Sequence, residues 1–151
     1  MATLFFDTSA LVKRYAEEPG TVAVDKLIEN DESTIAITQI TVVEMTSAFR
    51  RKHNRGAIDE ETVVGLVYAF FEEALNEFAI LPMSDALFEW PFELILEDDL
   101  RTLDSLQLAA ALAFADAREE VTFVCADEAL VSVARSRGLE ALDPLEASPD
   151  D

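Results

Sequence analysis

Five short apolar runs mark this chain, "ATLFFD", "STIAIT", "AILPM", "VTFVC" and "LEALD", and each is separated from the next by at least one helix-forming stretch. A run that is apolar at nearly every position suits a strand buried on both faces. Strands that alternate with helices pair in parallel, and the helices cover the sheet. The chain is therefore expected to form an α/β fold of three layers, α/β/α, around a mainly parallel sheet of four or five strands. In open sheets of this type ligands bind beyond the carboxyl ends of the strands, so chemistry is expected at that edge.

Between the strands, "SALVKRYAEE" and "TVAVDKLIEN" predict two short helices divided by Pro19-Gly20. "ITVVEMTSAFRRKHNR" predicts a helix stopped by Gly56. Asp59 opens a longer one, with Val63, Leu66, Val67, Phe70, Phe71 and Leu75 as a wide apolar face. Ser84 is placed to cap a helix that Pro91 breaks or kinks, because proline removes a donor and crowds the preceding turn. "LDSLQLAAALAFADA", with Thr102 as its cap, is the strongest helix by composition, and "DEALVSVARSR" runs to Gly138. Without repeats or a linker, residues 1–145 read as one domain and 146–151 as a loose acidic tail. A chain of 151 residues, half of them hydrophobic, buries a core without disulfides.

The one cysteine, Cys125, forms no internal bridge, and no window approaches the roughly 18 to 20 apolar residues of a membrane span. The start lacks a leader pattern, and the expected home is a reducing cytoplasm. The 31 acidic residues outnumber 11 basic ones, for a net charge of −20, which argues against a general nucleic-acid coat but not against a local site. An acidic, lysine-poor surface also suits concentrated salt, so the folded fraction is expected to rise with KCl.

Within this excess, four acids stand in a shared placement. Asp7 ends the first strand and Asp127 follows the fourth, each just before a helix, where either could simply be a helix cap. Glu44 lies among apolar and small residues near the start of its helix, with Ser47, Ala48 and Arg51 on the same face. Asp104 sits in the first turn of its helix, where the helix dipole favours it whether or not it has another role. If the strands are parallel, all four gather at one sheet edge. Converging carboxylates take up protons or bind a cation. An all-oxygen set favours Mg²⁺ or Mn²⁺ over zinc and suits phosphoryl chemistry. Asp98 and Asp99 are rivals close to Asp104 and are assigned to solvent.

The cations cluster as well. Arg50, Arg51, Lys52 and Arg55 crowd one helix end as "RRKHNR", Lys13 and Arg14 follow Asp7, and Arg101 precedes Asp104. Helix dipoles alone favour cations at such ends, yet an acidic protein holding a phosphate backbone needs a patch of this kind. His53 belongs to the patch as a surface or backbone contact.

Taken together, "LFFDTSALVKRYAEEPG", Glu44 in "ITVVEM", "LRTLDSLQLAAAL" and "FVCADEAL" resemble, in order and over almost the whole chain, the four acidic motifs of PIN-domain ribonucleases, especially VapC toxins of toxin–antitoxin pairs. The resemblance implies a PIN-like α/β/α domain that cuts RNA using Mg²⁺ or Mn²⁺. By position it makes Asp7, Glu44, Asp104 and Asp127 the catalytic and metal-binding quartet, with Ser9 supporting the first acid. It also implies a homodimer, with "TVAVDKLIEN" and "ITVVEMTSAF" as candidate faces, and silencing by a cognate antitoxin. In the RNA-binding role it leaves Arg50, Arg51, Lys52, Arg55, Lys13 and Arg14. Two residues depart from the pattern: Gln107 stands where many such toxins carry histidine, and Cys125 where serine or threonine commonly precedes the fourth acid.

Two other readings share these features. A haloacid-dehalogenase or receiver-like phosphotransfer protein also places an aspartate after its first strand. The phosphatase, however, needs a second aspartate where Ser9 stands, and both classes want a late lysine, whereas none follows Lys52. A non-catalytic binding module of the same fold would have no need of all four acids.

Overall fold

The computed structural model describes residues 2–85, 90–118 and 120–146. Five strands, β1 (Ala2–Phe6), β2 (Ser33–Thr38), β3 (Ala79–Leu81), β4 (Val121–Val124) and β5 (Glu140–Leu142), form one sheet in the order β3-β2-β1-β4-β5. Every pairing is parallel, with Leu4 opposite Ile35 on one side of β1 and Thr122 on the other. Among the described residues seven helices connect them: α1 (Thr8–Tyr15), α2 (Thr21–Ile28), α3 (Gln39–Asn54), α4 (Glu60–Glu77), α5 (Trp90–Leu96), α6 (Thr102–Asp116) and α7 (Glu128–Ser136). This is the three-layer α/β/α arrangement expected from the alternation of runs.

The unbroken apolar character of β1 follows from its central position. Successive side chains point to opposite faces, so Phe5 enters a core with α5, α6 and α7 while Leu4 and Phe6 enter another with α1 to α4. Phe5 packs against Phe114 and Phe123 in the first core, and Tyr15 meets Phe70 edge-on at 5.4 Å in the second. The alanines of α6, Ala109, Ala110 and Ala111, are buried and let that helix lie close to the sheet.

Helix ends follow local chemistry. Asp7, Thr38, Asp59 and Asp127 each accept a backbone N–H from the first turn of α1, α3, α4 and α7. Gly56 and Gly138 follow α3 and α7 with φ of 78° and 85°, a region that glycine enters at little cost.

Several local expectations change. Thr102 is the first residue of α6, not its cap; Arg101 precedes it and makes no capping bond. Pro91 is buried in α5, and the break or kink expected there turns on residues 86–89. The stretch expected to link Ser84 to Pro91 includes residues 86–89, and the tail expected to be loose includes 147–151; both lie outside the described residues. The apolar face of α4 is narrower than its periodicity suggested: Val63, Phe70 and Ala74 are buried, but Leu75 is 72% exposed. Asp98, expected in solvent, accepts hydrogen bonds from the Arg137 Nε and Nη2 and ties the loop after α5 to the end of α7, while Asp99 is exposed.

Candidate active site

The strand order reverses direction between β1 and β4, the position where open parallel sheets leave a crevice. Asp7 leaves the sheet at the carboxyl end of β1, and its backbone N–H bonds the Val124 carbonyl of β4 at 2.9 Å. Asp127 follows β4. Glu44 rises from α3 just beyond β2, and Asp104 stands in the first turn of α6. The cap reading and the edge reading of Asp7 and Asp127 therefore both hold, since a residue that starts the next helix is also at the strand's carboxyl end.

Asp7 is only 5% exposed. Its Oδ2 accepts the Ser9 hydroxyl at 2.6 Å and the Ser9 backbone N–H at 3.1 Å, with the Cys125 thiol 3.7 Å away. The same Ser9 oxygen accepts the Ala126 N–H at 3.0 Å, so one hydroxyl joins the starts of α1 and the β4–α7 turn. Asp7 Oδ1 has no hydrogen-bond partner among the described residues. No buried side-chain nitrogen or oxygen there lacks a partner, so this oxygen keeps some exposure to solvent. Burial pushes the Asp7 carboxyl up to about 6 against the lowering effect of the Ser9 bonds, and the charges of Glu44 and Asp104 add to the rise. Burial and then the nearby Asp127 raise Asp104 as well, with Arg101 opposing. These mutual effects link Asp7 to Glu44 and Asp104, and Asp104 to Asp127.

Glu44 is held on one side only: its Oε1 accepts the Thr8 hydroxyl at 3.0 Å and the Gln107 amide at 3.1 Å. Asp127 Oδ1 caps α7 through the Leu130 N–H, and the Asp127 N–H points to the Cys125 sulfur at 3.4 Å. Burial pushes the Cys125 thiol up, so it stays protonated at neutral pH. A cleft of about 650 Å³ opens between Glu44 and Arg51 of α3 and the segment Leu100–Asp104. Asp7 and Asp127 are not among its lining residues.

The cations separate into two groups. Arg51 lines the cleft and donates to Ser47 at 2.9 Å, forming no ion pair with Glu44. Arg101, highly exposed, stands 3.9 Å from Asp104. Arg50 pairs with Glu60 on the surface, and Arg55 is exposed at the end of α3. Lys13, Arg14 and Lys52 form the second group, held in ion pairs with acids of the helical layer. Lys13 and Lys52 both bind Glu18, at 2.8 and 2.6 Å, and Arg14 is surrounded by Asp25, Glu29 and Glu73. Their charges are spent within the helical layer. His53 lies against the Ile58 carbonyl and Glu60.

Among the described residues no group of three carboxylates is arranged to hold one metal ion. The donor set nevertheless fits a hard divalent cation that keeps several of its waters and takes one or two carboxylates, as Mg²⁺ does. Asp7 and Glu44 each have one oxygen committed to the protein and another without a partner among the described residues. The residue not anticipated as part of this arrangement is Thr8, and the role of Gln107 beside Glu44 was left open.

The PIN domain family model matches residues 4–136, and the chain belongs to that family. Solved structures of similar fold include a toxin–antitoxin complex from Klebsiella pneumoniae, 18% identical, covering 95% of this chain and 99% of that one with a TM-score of 0.65. They also include VapBC2 from Rickettsia felis bound to a promoter DNA fragment, 19% identical over 93% and 98% of the two chains with a TM-score of 0.62. FitAcB from Neisseria gonorrhoeae is 15% identical over 95% and 99%, with a TM-score of 0.64. At these identities the likeness concerns the fold. No curated protein matches the chain.

Proposed function

We propose that the chain is a divalent-metal-dependent endoribonuclease, with Mg²⁺ or Mn²⁺ as cofactor, and the toxin component of a type II toxin–antitoxin system. The observation that carries this reading is Asp7: a buried carboxylate at the switch point of a PIN-family sheet, pinned through one oxygen, open through the other, and charged against Glu44 and Asp104. Asp7, Glu44, Asp104 and Asp127 would hold the cation, one or two of them directly and the others through its waters. When bound, such a cation supplies Lewis acidity toward a phosphodiester and lowers the pKa of a water. Ser9 keeps Asp7 oriented and Thr8 and Gln107 keep Glu44 oriented, while Arg51 and Arg101 offer positive charge to the phosphates beside the cleft. Arg50 and Arg55 extend that charge along the end of α3.

The cognate antitoxin is proposed because the fold neighbours include toxin–antitoxin complexes. A homodimer is proposed on the exposed Val22 of α2 and Val43 of α3, the two helices singled out from the sequence. No helix among the described residues is long and apolar enough to cross a membrane, and a cytoplasmic site of action agrees with that and with a free thiol. The test is RNA cleavage with and without Mn²⁺, using the parent and Asp7→Asn. Cleavage that needs the cation and disappears in Asp7→Asn supports the enzyme; cation-independent cleavage, or its survival in the variant, refutes the site. A short reading frame beside this one, encoding a DNA-binding module and an amphipathic tail, is the expected genetic partner.

A further inference from the structure

Gln107 is 1% exposed within a helix of alanines and leucines, where an apolar side chain of equal length would meet the packing need. A buried amide must find partners for its donors and its acceptor. Its Oε1 accepts the Thr38 hydroxyl at 2.9 Å, and its Nε2 lies against Thr41 Oγ1, Glu44 Oε1 and Thr8 Oγ1. The threonines do not require it: Thr38 accepts the Thr41 N–H as the cap of α3, and the two hydroxyls lie 3.4 Å apart.

The direction of the network is more telling. Thr8 from α1 and Gln107 from α6 both donate to one atom, Glu44 Oε1, at 3.0 and 3.1 Å. Glu44 Oε2 receives no hydrogen bond from any described residue. The carboxylate cannot turn about its last torsion without breaking both bonds, so a fixed oxygen is left for the cleft that Glu44 lines. Partners that orient a ligand in this way set cation affinity without touching the ion.

We propose that Gln107, assisted by Thr8, is a positioning residue that holds Glu44 with one oxygen toward the cleft and thereby sets the affinity for a divalent cation. The inference rests on the reading of Glu44 as a cation ligand. It is tested by calorimetric titration of the full chain with Mn²⁺ in Gln107→Met, Gln107→His, Thr8→Val and Glu44→Gln. Gln107→Met, folded by circular dichroism, is expected to bind Mn²⁺ at least about tenfold more weakly, the range for loss of a ligand's outer partner. Gln107→His keeps a ring N–H and is expected to recover most of that loss. Thr8→Val removes the other donor to the same oxygen and should lower affinity by a smaller factor, which keeps the test alive if Gln107→Met does not fold. Parent-like Mn²⁺ binding in Gln107→Met or, failing that, in Thr8→Val, beside a weakened Glu44→Gln, overturns the positioning role and leaves the metal reading standing. Equal losses in Gln107→Met and Gln107→His point to packing and also overturn it. Parent-like binding in Glu44→Gln overturns the metal reading and this inference together.

Discussion

The two ends of α1 treat acidic partners in opposite ways. At its amino end Asp7, with Thr8 and Ser9 beside it, faces Glu44 and Asp104, and like charges accumulate against a single exposed cation, Arg101, 3.9 Å from Asp104. At its carboxyl end Lys13, Arg14 and Tyr15 meet Glu18, Asp25, Glu29 and Glu73, and every one of these acids finds a cation. The outcome appears in the proton affinities. Burial raises Glu73, but the bonds from Arg14 and Tyr15 outweigh it and hold the carboxyl below its ordinary value; Lys13 and Lys52 do the same for Glu18. Asp7, more deeply buried at 5% exposure and given only hydroxyl, amide and thiol donors, is pushed up by that burial to about 6. A carboxylate in this strongly acidic chain is therefore informative by its partners, not by its presence. Matched charge marks scaffolding, and unmatched charge marks the crevice.

The comparison is broken most severely at Asp7. Asp7→Asn is expected to reduce RNA cleavage by at least about 100-fold, more than the loss typical of a ligand's outer partner, and to remove the Mn²⁺-dependent rise in melting temperature expected of the parent. Cleavage and melting curves with and without Mn²⁺ check both effects. At the other end of α1, Arg14→Ala leaves three acids without their shared cation and should cost about 3 kcal/mol in urea unfolding. Mn²⁺ affinity should stay at the parent's level there, and a fall would mean that the two ends are not independent.

Acidity sharpens the contrast, because the two ends respond with opposite signs. The folded Asp7 pKa lies above its ordinary 3.8, so the native state binds the proton more tightly and stability falls as pH rises from about 4 to 6, on the order of 3 kcal/mol. Asp7→Asn should abolish that fall in metal-free buffer. Glu18 and Glu73 are held below 4.5, so their contribution is present above that pH and fades as pH drops through their folded values. Glu73→Gln should flatten the acid limb and leave the limb between 4 and 6 unchanged, as read by urea unfolding across pH. The smallest effect concerns the cleft arginines. Arg51→Ala is expected to reduce the salt slope of single-stranded RNA binding by up to about 0.7, and Arg50→Ala, already paired with Glu60, by less. Equal slopes for both variants would remove the distinction drawn between a cleft arginine and a surface one.

The sheet was legible because its cause is local. Runs such as "LFFD" carry their own burial pattern, and a carboxylate directly after a strand has one edge to occupy. Caps were legible for the same reason at Asp59 and Asp127, and misread at Thr102 because Arg101 holds the extended backbone conformation that precedes α6. What escaped was decided by docking between distant segments. Arg14 meets Glu73 across 59 positions and Thr8 meets Gln107 across 99, and no spacing rule announces such pairs. The same applies to Asp98, whose partner Arg137 arrives only with α7. Leu75 was placed inside by helical period, yet α4 packs through Val63, Phe70 and Ala74. The angle at which a helix lies on a sheet selects its buried stripe, and that angle is not written in any single helix.

The strand order has a consequence for the timing of synthesis. β1, the first strand to emerge from a ribosome, is the middle of the sheet, and one of its two neighbours, β4, is separated from it by more than a hundred residues. At roughly 5 to 20 residues per second the interval between translating Glu44 and Asp127 is on the order of ten seconds. Throughout it Asp7 can have β2 at its side, but neither the Val124 carbonyl nor the Ala126 N–H that later anchor it and Ser9. The crevice is thus assembled from strands made far apart in time, and a nascent chain truncated before β4 would carry three of the four acids without the wall that brings them together.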